Sequence, residues 1–361
     1  PEGKGETKII DITRDRIELT DSEARSEIIE DGEKPNGKPY KIGVIDLPSF
    51  YMDMDAANQG VPDYKSTTTD VRKLLQEFNK REVDAVIVDL RDNGGGSLPE
   101  AVDVTGLFID EGPTVQIKDA EGAVRQHKDT DRGVAWDGPL VVLISKFSAS
   151  ASEIFAGAIK DYQRGLVVGD HATHGKGTVQ TLMDVGQQLY RIQNAPKLGA
   201  LKITMQQFYR PNGDSTQNRG VLSHVELPWI TTHLDVGESD LDYAVAFDNI
   251  KPATFPKMKQ IDDTLVAILR QSSEKRRQQS KDFQKLNNRI AKYLEQKKTK
   301  SISLNEEVFM SDRAELDDQD KVDKEEIDKQ KVVNRNYYFD EALAITVDYV
   351  RMLGKGQVAG K

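Results

Sequence analysis

Lys146-Phe147-Ser148-Ala149-Ser150-Ala151-Ser152-Glu153 opens the stretch on which the reading of this chain turns, and Gly175-Lys176-Gly177-Thr178-Val179-Gln180 closes it. A continuous apolar run, Pro139 to Ser145, reads as a buried strand leading into it, and Ile154, Phe155, Ala158 and Ile159 read as a helix leaving it. Small residues between strand and helix let the backbone turn tightly. One of three hydroxyls can then stand above a helix N-terminus, where free N–H groups stabilise developing negative charge. The closing half sets Lys176 between two glycines, just before a Thr-Val-Gln strand. Backbone packed around a lysine strips its water and disfavours the ammonium. To act as a base near neutral pH the amine must fall by roughly 3 units from about 10.4, a differential of about 4 kcal/mol. A serine nucleophile served by a lysine base is a known variant of triad chemistry.

Working outward, residues 40–230 alternate strands with helices, the pattern of an α/β core. Lys41 to Pro48 and Val83 to Leu90 read as apolar strands, and Thr69 to Arg81 as an amphipathic helix capped by Thr69 or Asp70. The turn Arg91-Asp92-Asn93-Gly94-Gly95-Gly96-Ser97 then leads to a helix from Pro99 to Phe108. Glycines there let backbone N–H groups face a cavity unobstructed, as an oxyanion hole about 3 Å from a carbonyl oxygen requires. Ala200 to Arg210 alternates as a strand. From Leu241 the character changes: Lys259 to Gln296 is long, charged and helical, Ser311 to Asp328 is acid-rich and reads as solvated, and Tyr337 to Leu353 closes as a helix.

The Ser-Ala-Ser-Ala-Ser-Glu and Gly-Lys-Gly-Thr-Val-Gln wording, with Leu90-Arg91-Asp92-Asn93-Gly94-Gly95-Gly96 upstream, resembles the C-terminal processing, or tail-specific, serine proteases. The resemblance runs across nearly the whole chain and is sharp in the core. It implies Ser150 as nucleophile, Lys176 as general base, Gln180 as the residue orienting it, and a contribution from Asp161. The oxyanion donors would be the N–H of Gly96, or of Gly95, together with that of Ala151. Ser148 and Ser152 compete with Ser150 as nucleophiles, and Ser152 is expected to cap the following helix. The segment Asp170-His171-Ala172-Thr173-His174 is one residue longer than the family's usual pattern, which predicts a loop bulge.

The family implies an α/β fold with a ClpP/crotonase-like β-α core, a mixed strand-rich part and a helical C-terminal extension. Residues 1–39 would be a linker and strand segment following a PDZ module, so that the chain begins where that module ends. Residues 40–235 would be the serine–lysine protease core, and 236–361 a helical domain. The implied substrates are proteins with apolar, poorly structured C-termini, cleaved in the bacterial periplasm near the inner membrane surface. A helical-repeat lipoprotein adaptor partners some relatives.

Composition narrows the field. With 50 basic and 60 acidic residues the formal net charge is −10, and no basic run could track a phosphate backbone, which argues against nucleic acid. Cysteine is absent, so disulfides and thiolate metal sites are excluded. No stretch of about 18 apolar residues marks a membrane span. No metal or cofactor is expected: His171 and His174 lack a third ligand and read as solvated loop residues, and Trp136 and Trp229 as packing residues. Two alternatives share parts of this pattern. One is a non-catalytic module of the retinoid-binding type on the same core, and the other is a crotonase-type acyl-CoA enzyme.

Overall fold

The computed structural model describes residues 22–190, 192, 196–298, 305, 306, 332, 333 and 335–358. The alternating run at residues 9–19 and the acid-rich stretch at 311–328 lie outside the described residues.

A six-stranded sheet forms the centre. Its strands are β1 (Arg25–Asp31), β2 (Tyr40–Asp46), β3 (Ala85–Asp89), β6 (Leu140–Ile144), β7 (Leu166–Gly169) and β10 (Val225–Glu226), in that spatial order. β1 pairs antiparallel to β2, and every later pairing is parallel. A parallel sheet needs cover on both faces, and the strand sequences are correspondingly apolar throughout. On one face Val86, Val88, Val142 and Ile144 meet α2 (Thr67–Lys80), α3 (Leu98–Gly106) and α4 (Ala151–Asp161). On the other, Ala85, Ile87, Val141 and Leu143 meet α6 (Asp263–Gln279) and α8 (Tyr337–Val358). The C-terminal helices therefore make the third layer of an α/β/α sandwich and share its core.

A second sheet, all antiparallel, runs β5 (Val124–Asp129), β4 (Gly112–Asp119), β9 (Ala200–Tyr209), β8 (Thr178–Asp184). Short α1 (Met54–Asn58) and α5 (Val185–Tyr190) decorate loops. The long charged helix expected from Lys259 to Gln296 is two helices, α6 and α7 (Lys281–Lys298), broken at Ser280, whose backbone is extended. α7 makes a small core of its own from Phe283, Leu286 and Ile290, against Trp229 and Tyr337. Among the described residues no helix is long and apolar enough to cross a membrane.

Helix starts differ from the sequence expectation. α2 is capped by Ser66, whose hydroxyl accepts from the Thr69 amide at 3.2 Å, ahead of the two residues expected. α4 begins at Ser150 as N-cap, so Ser152 lies inside the helix and does not cap it.

Candidate active site

β6 is fully buried and ends at a turn that must place three hydroxyls in different surroundings. The Ser148 hydroxyl is buried, donating to the Leu90 carbonyl at 2.7 Å and accepting from the Ser145 amide at 2.9 Å. The Ser152 hydroxyl is buried too and donates to the Asn93 carbonyl at 2.9 Å. Both competitors are thus committed to holding the glycine turn against this segment. Ser150 alone of the three is half exposed, and no described hydrogen bond engages its hydroxyl. Its backbone sits at φ 57°, ψ −110°, a strained conformation for a residue with a Cβ. Such strain at a strand-to-helix turn projects a side chain out of the fold, as in a nucleophile elbow.

Glu153, three residues on, was quoted in the sequence motif without a role, and it organises the site. Its side chain is fully buried and accepts four hydrogen bonds. The donors are the Ser150 amide (2.8 Å), the Thr173 hydroxyl (2.6 Å), the Gly175 amide (2.7 Å) and the Lys176 amide (3.0 Å). Ser150 and Lys176 share one carboxylate oxygen, so their backbones pass within about 6 Å of each other. Burial pushes this carboxyl up to about 7, while Thr173 and the amides of Ser150, Gly175 and Lys176 hold it down. Its neighbours here are donors, which the ionised form satisfies. The available signal was the Ser-x-x-Glu spacing of a capping box. Of that box the Glu153 carboxylate takes the Ser150 amide at 2.8 Å, and the Glu153 amide donates to the Ser150 carbonyl at 2.9 Å.

Lys176 is half buried in the turn that precedes β8. Burial lowers its amine below the usual lysine range, and the nearby charge of Lys202 lowers it further; Glu238 and Glu153 act the other way. Its Nζ donates to Gln180 Oε1 at 3.4 Å, which brings Lys176 and Gln180 together as the motif implied. No hydrogen bond joins Nζ to the Ser150 hydroxyl in this resting arrangement. The longer loop before Lys176 is pinned by the Ala172–Leu222 bridge and by Glu153, and the irregularity in pairing falls later, between Val179 and Gln180.

The glycine turn lies against Ser150. A Cβ on Gly95 would come within 2.8 Å of Ser150 Cβ and of the Ala149 carbonyl, and one on Gly96 within 2.2 Å of the Phe50 carbonyl. The Gly95 amide is already spent on Asn93 Oδ1 at 2.8 Å. The amides of Gly96 and Ala151, by contrast, have no described acceptor. Asn93 fixes the turn from inside, donating to the Leu47 carbonyl at 2.8 Å and receiving the Ala149 amide on its own carbonyl at 3.1 Å.

Asp161 is not brought to this group. It ends α4 while Ser150 begins it, a separation of about 16 Å at 1.5 Å per residue. There it is buried in an ion pair with Arg210 and accepts from the Asn212 amide at 3.2 Å, a structural tie between α4 and the end of β9. His171 is exposed against Glu226, 2.9 Å away, and His174 turns to Glu238, so the two rings do not converge. His174, expected in solvent, is half buried, and burial holds its imidazole below the usual range. Trp136 is buried under the first core, and Trp229 packs on Tyr337 and Tyr338.

Residues 41–227 match peptidase family S41, and residues 231–351 match the C-terminal domain of tail specific protease. A tail-specific protease of Haemophilus influenzae is 39% identical over 307 residues, covering 84% of this chain and 41% of that one. The chloroplastic carboxyl-terminal-processing peptidase 2 of Arabidopsis thaliana is 36% identical over 182 residues, covering 50% of this chain and 32% of that one. A solved photosystem II D1 C-terminal processing protease aligns with a TM-score of 0.45 at 28% identity, over 56% of this chain and 48% of that one. The chain thus spans well under half the length of these curated relatives. The two curated relatives are peptidases, and neither the retinoid-binding nor the acyl-CoA alternative finds support between them. Since the S41 match takes in just over half of the chain, with Gly96, Ser150, Glu153, Lys176 and Gln180 inside it, the chain belongs to peptidase family S41.

Proposed function

We propose that this chain is the catalytic part of a serine endopeptidase acting through Ser150 and Lys176. The observation that carries the reading is the single buried carboxylate of Glu153, which ties the backbone of the strained, unbonded Ser150 to that of the desolvated Lys176. On substrate binding the Lys176 amine leaves Gln180 and turns to Ser150, since catalytic hydrogen bonds tighten only in the complex. Neutral Lys176 takes the hydroxyl proton as Oγ attacks the peptide carbonyl. The amides of Gly96 and Ala151 hold the oxyanion. The lysine ammonium returns the proton to the leaving amine, and water then releases the acyl group by the reverse relay.

The site belongs to a core of residues 40–235, to whose sheet residues 25–31 add the edge strand β1, with the segment 236–361 supplying the helical layer. Substrates are proteins with apolar, poorly structured C-termini. Leu201 and Met205 stand exposed on β9, the strand paired with β8, and offer such tails an apolar surface. A bacterial periplasmic setting at the inner membrane surface, with a lipoprotein adaptor, fits the resemblance to tail-specific enzymes.

The test is cleavage of a reduced, carboxymethylated protein with an apolar tail. Ser150→Ala and Lys176→Ala should each lower kcat by about 10³-fold or more. Undiminished cleavage by either variant refutes the assignment.

A further inference from the structure

The turn that carries Lys176 is held from outside the S41 match. Glu238 lies in a short 3-10 turn, Glu238–Asp240, within the stretch that matches the C-terminal domain of tail specific protease. It is buried, and it reaches the lysine turn twice. Its amide donates to the His174 carbonyl at 3.1 Å, two residues before Lys176. Its Oε1 accepts from Gln217 Nε2 at 3.1 Å, and Gln217 Oε1 accepts from the Gly177 amide at 2.8 Å, one residue after Lys176. Gln217 is itself wholly buried, and a Cβ on Gly177 would come within 2.9 Å of the Gln217 Cβ. The same 3-10 turn touches the nucleophile segment, because the Lys146 Nζ sits where a Cβ on Gly237 would be 2.6 Å away.

We infer that Glu238 is a positioning residue for Lys176: it clamps the lysine turn on both sides and places a negative charge within reach of the amine. The inference rests on the serine–lysine reading and adds to it that the segment after the protease core completes the site. Two effects follow. The clamp fixes where the amine stands, and the charge favours its ammonium form, opposing the burial that neutralises it. The charged and titratable groups facing Lys176 are Glu153 from α4, Lys202 from β9, His174 from the preceding loop and Glu238. Glu153 and Glu238 favour the ammonium and Lys202 disfavours it. Burial holds the His174 imidazole below its usual range, and its Nδ1 has no described hydrogen-bond partner, 3.9 Å from Glu238 Oε2.

Glu238→Gln, Glu238→Ala and Gln217→Ala separate clamp from charge. The full chain is assayed on an internally quenched peptide with an apolar C-terminus across pH. In parallel, acetylation of Lys176 against pH is followed by mass spectrometry, a readout that needs no turnover. Glu238→Gln keeps an acceptor for Gln217 and loses the charge. The Lys176 midpoint and the acid limb of kcat should both move down by about half a unit or more, with a smaller loss of plateau rate than in Glu238→Ala. Gln217→Ala keeps the charge and loses the clamp. Its plateau kcat should fall about tenfold or more at little changed KM, with the midpoint unmoved. A Lys176 titration in Glu238→Gln superposable on that of the wild type overturns the inference, as does full plateau kcat in both alanine variants. Cleavage that survives Ser150→Ala sinks the serine–lysine reading instead, and the lysine titration tells the two failures apart.

Discussion

Ser150 occupies a backbone region that costs a residue with a side chain about 1–3 kcal/mol, and it does so at the N-terminus of a helix buried from Ala151 to Ile159. The neighbouring positions explain why it stays there. Ala149 is tied to the Asn93 carbonyl, and the Ser150 amide to Glu153. Gly95 sits so close that no side chain would fit between the two segments. The strain keeps the hydroxyl outside the helix, where capping would otherwise consume it. Glycine suits φ 57°, so Ser150→Gly is expected to unfold at a higher temperature than Ser150→Ala, by the equivalent of about 1 kcal/mol. Equal melting midpoints for the two inactive variants would show that the turn stores no strain.

Helices and strands here are placed by ordinary local chemistry. In α2, Val71, Leu75 and Phe78 recur at helical spacing and are all buried, and Ser66 satisfies the first turn. α3 starts the same way, with the Ser97 hydroxyl accepting from the Glu100 amide at 3.4 Å. The ends of these elements were the part least legible in the sequence, because several neighbouring hydroxyls and carboxylates can each cap. Thr69 and Asp70 were plausible caps by residue type. Asp70 instead accepts from the Tyr51 hydroxyl at 2.6 Å, a partner 19 residues away. Ser66→Ala is expected to cost about 1 kcal/mol, read as a lower urea midpoint at unchanged slope. No change in midpoint would mean that the cap bond is replaced by water at no cost.

For the molecule as a whole, the C-terminal helices matter because the sheet they cover is parallel and needs both faces buried. α8 brings Tyr338 and Phe339 over the half-buried Arg91, with ring centres 5.7 and 5.6 Å from its guanidinium, at the base of the glycine turn. Arg91 is paired with Asp89 at 2.6 Å. Arg276 joins α6 to α8 through Glu341 and Asp348. The glycine turn and the helical layer thus pack against each other. The Tyr338 hydroxyl is buried without a hydrogen-bond partner. Tyr338→Phe, which keeps the ring on Arg91, is expected to leave stability unchanged or raise it by about 1 kcal/mol. A clear loss in the thermal midpoint would mean that the hydroxyl is satisfied by something such as a buried water.

Patterns within about ten residues determined much of this protein by themselves: apolar β-branched runs, amphipathic helices, and turns of glycine and serine too small to block a backbone. Those patterns put Ser150 and Lys176 in turns of small residues, and the family resemblance added Gly95, Gly96 and Ala151 as candidate donors. Tertiary structure decided which hydroxyl is free, because the competitors are bonded to carbonyls 58 and 59 residues away. It also put Asp161 at the far end of α4, engaged the Gly95 amide with Asn93, and set Glu153 and Glu238 as side chains that bond the segments together. Propensity and periodicity report what a residue does to its own neighbours. Whether a polar atom is available for chemistry depends on every partner the fold brings to it, and those partners are distant in the chain.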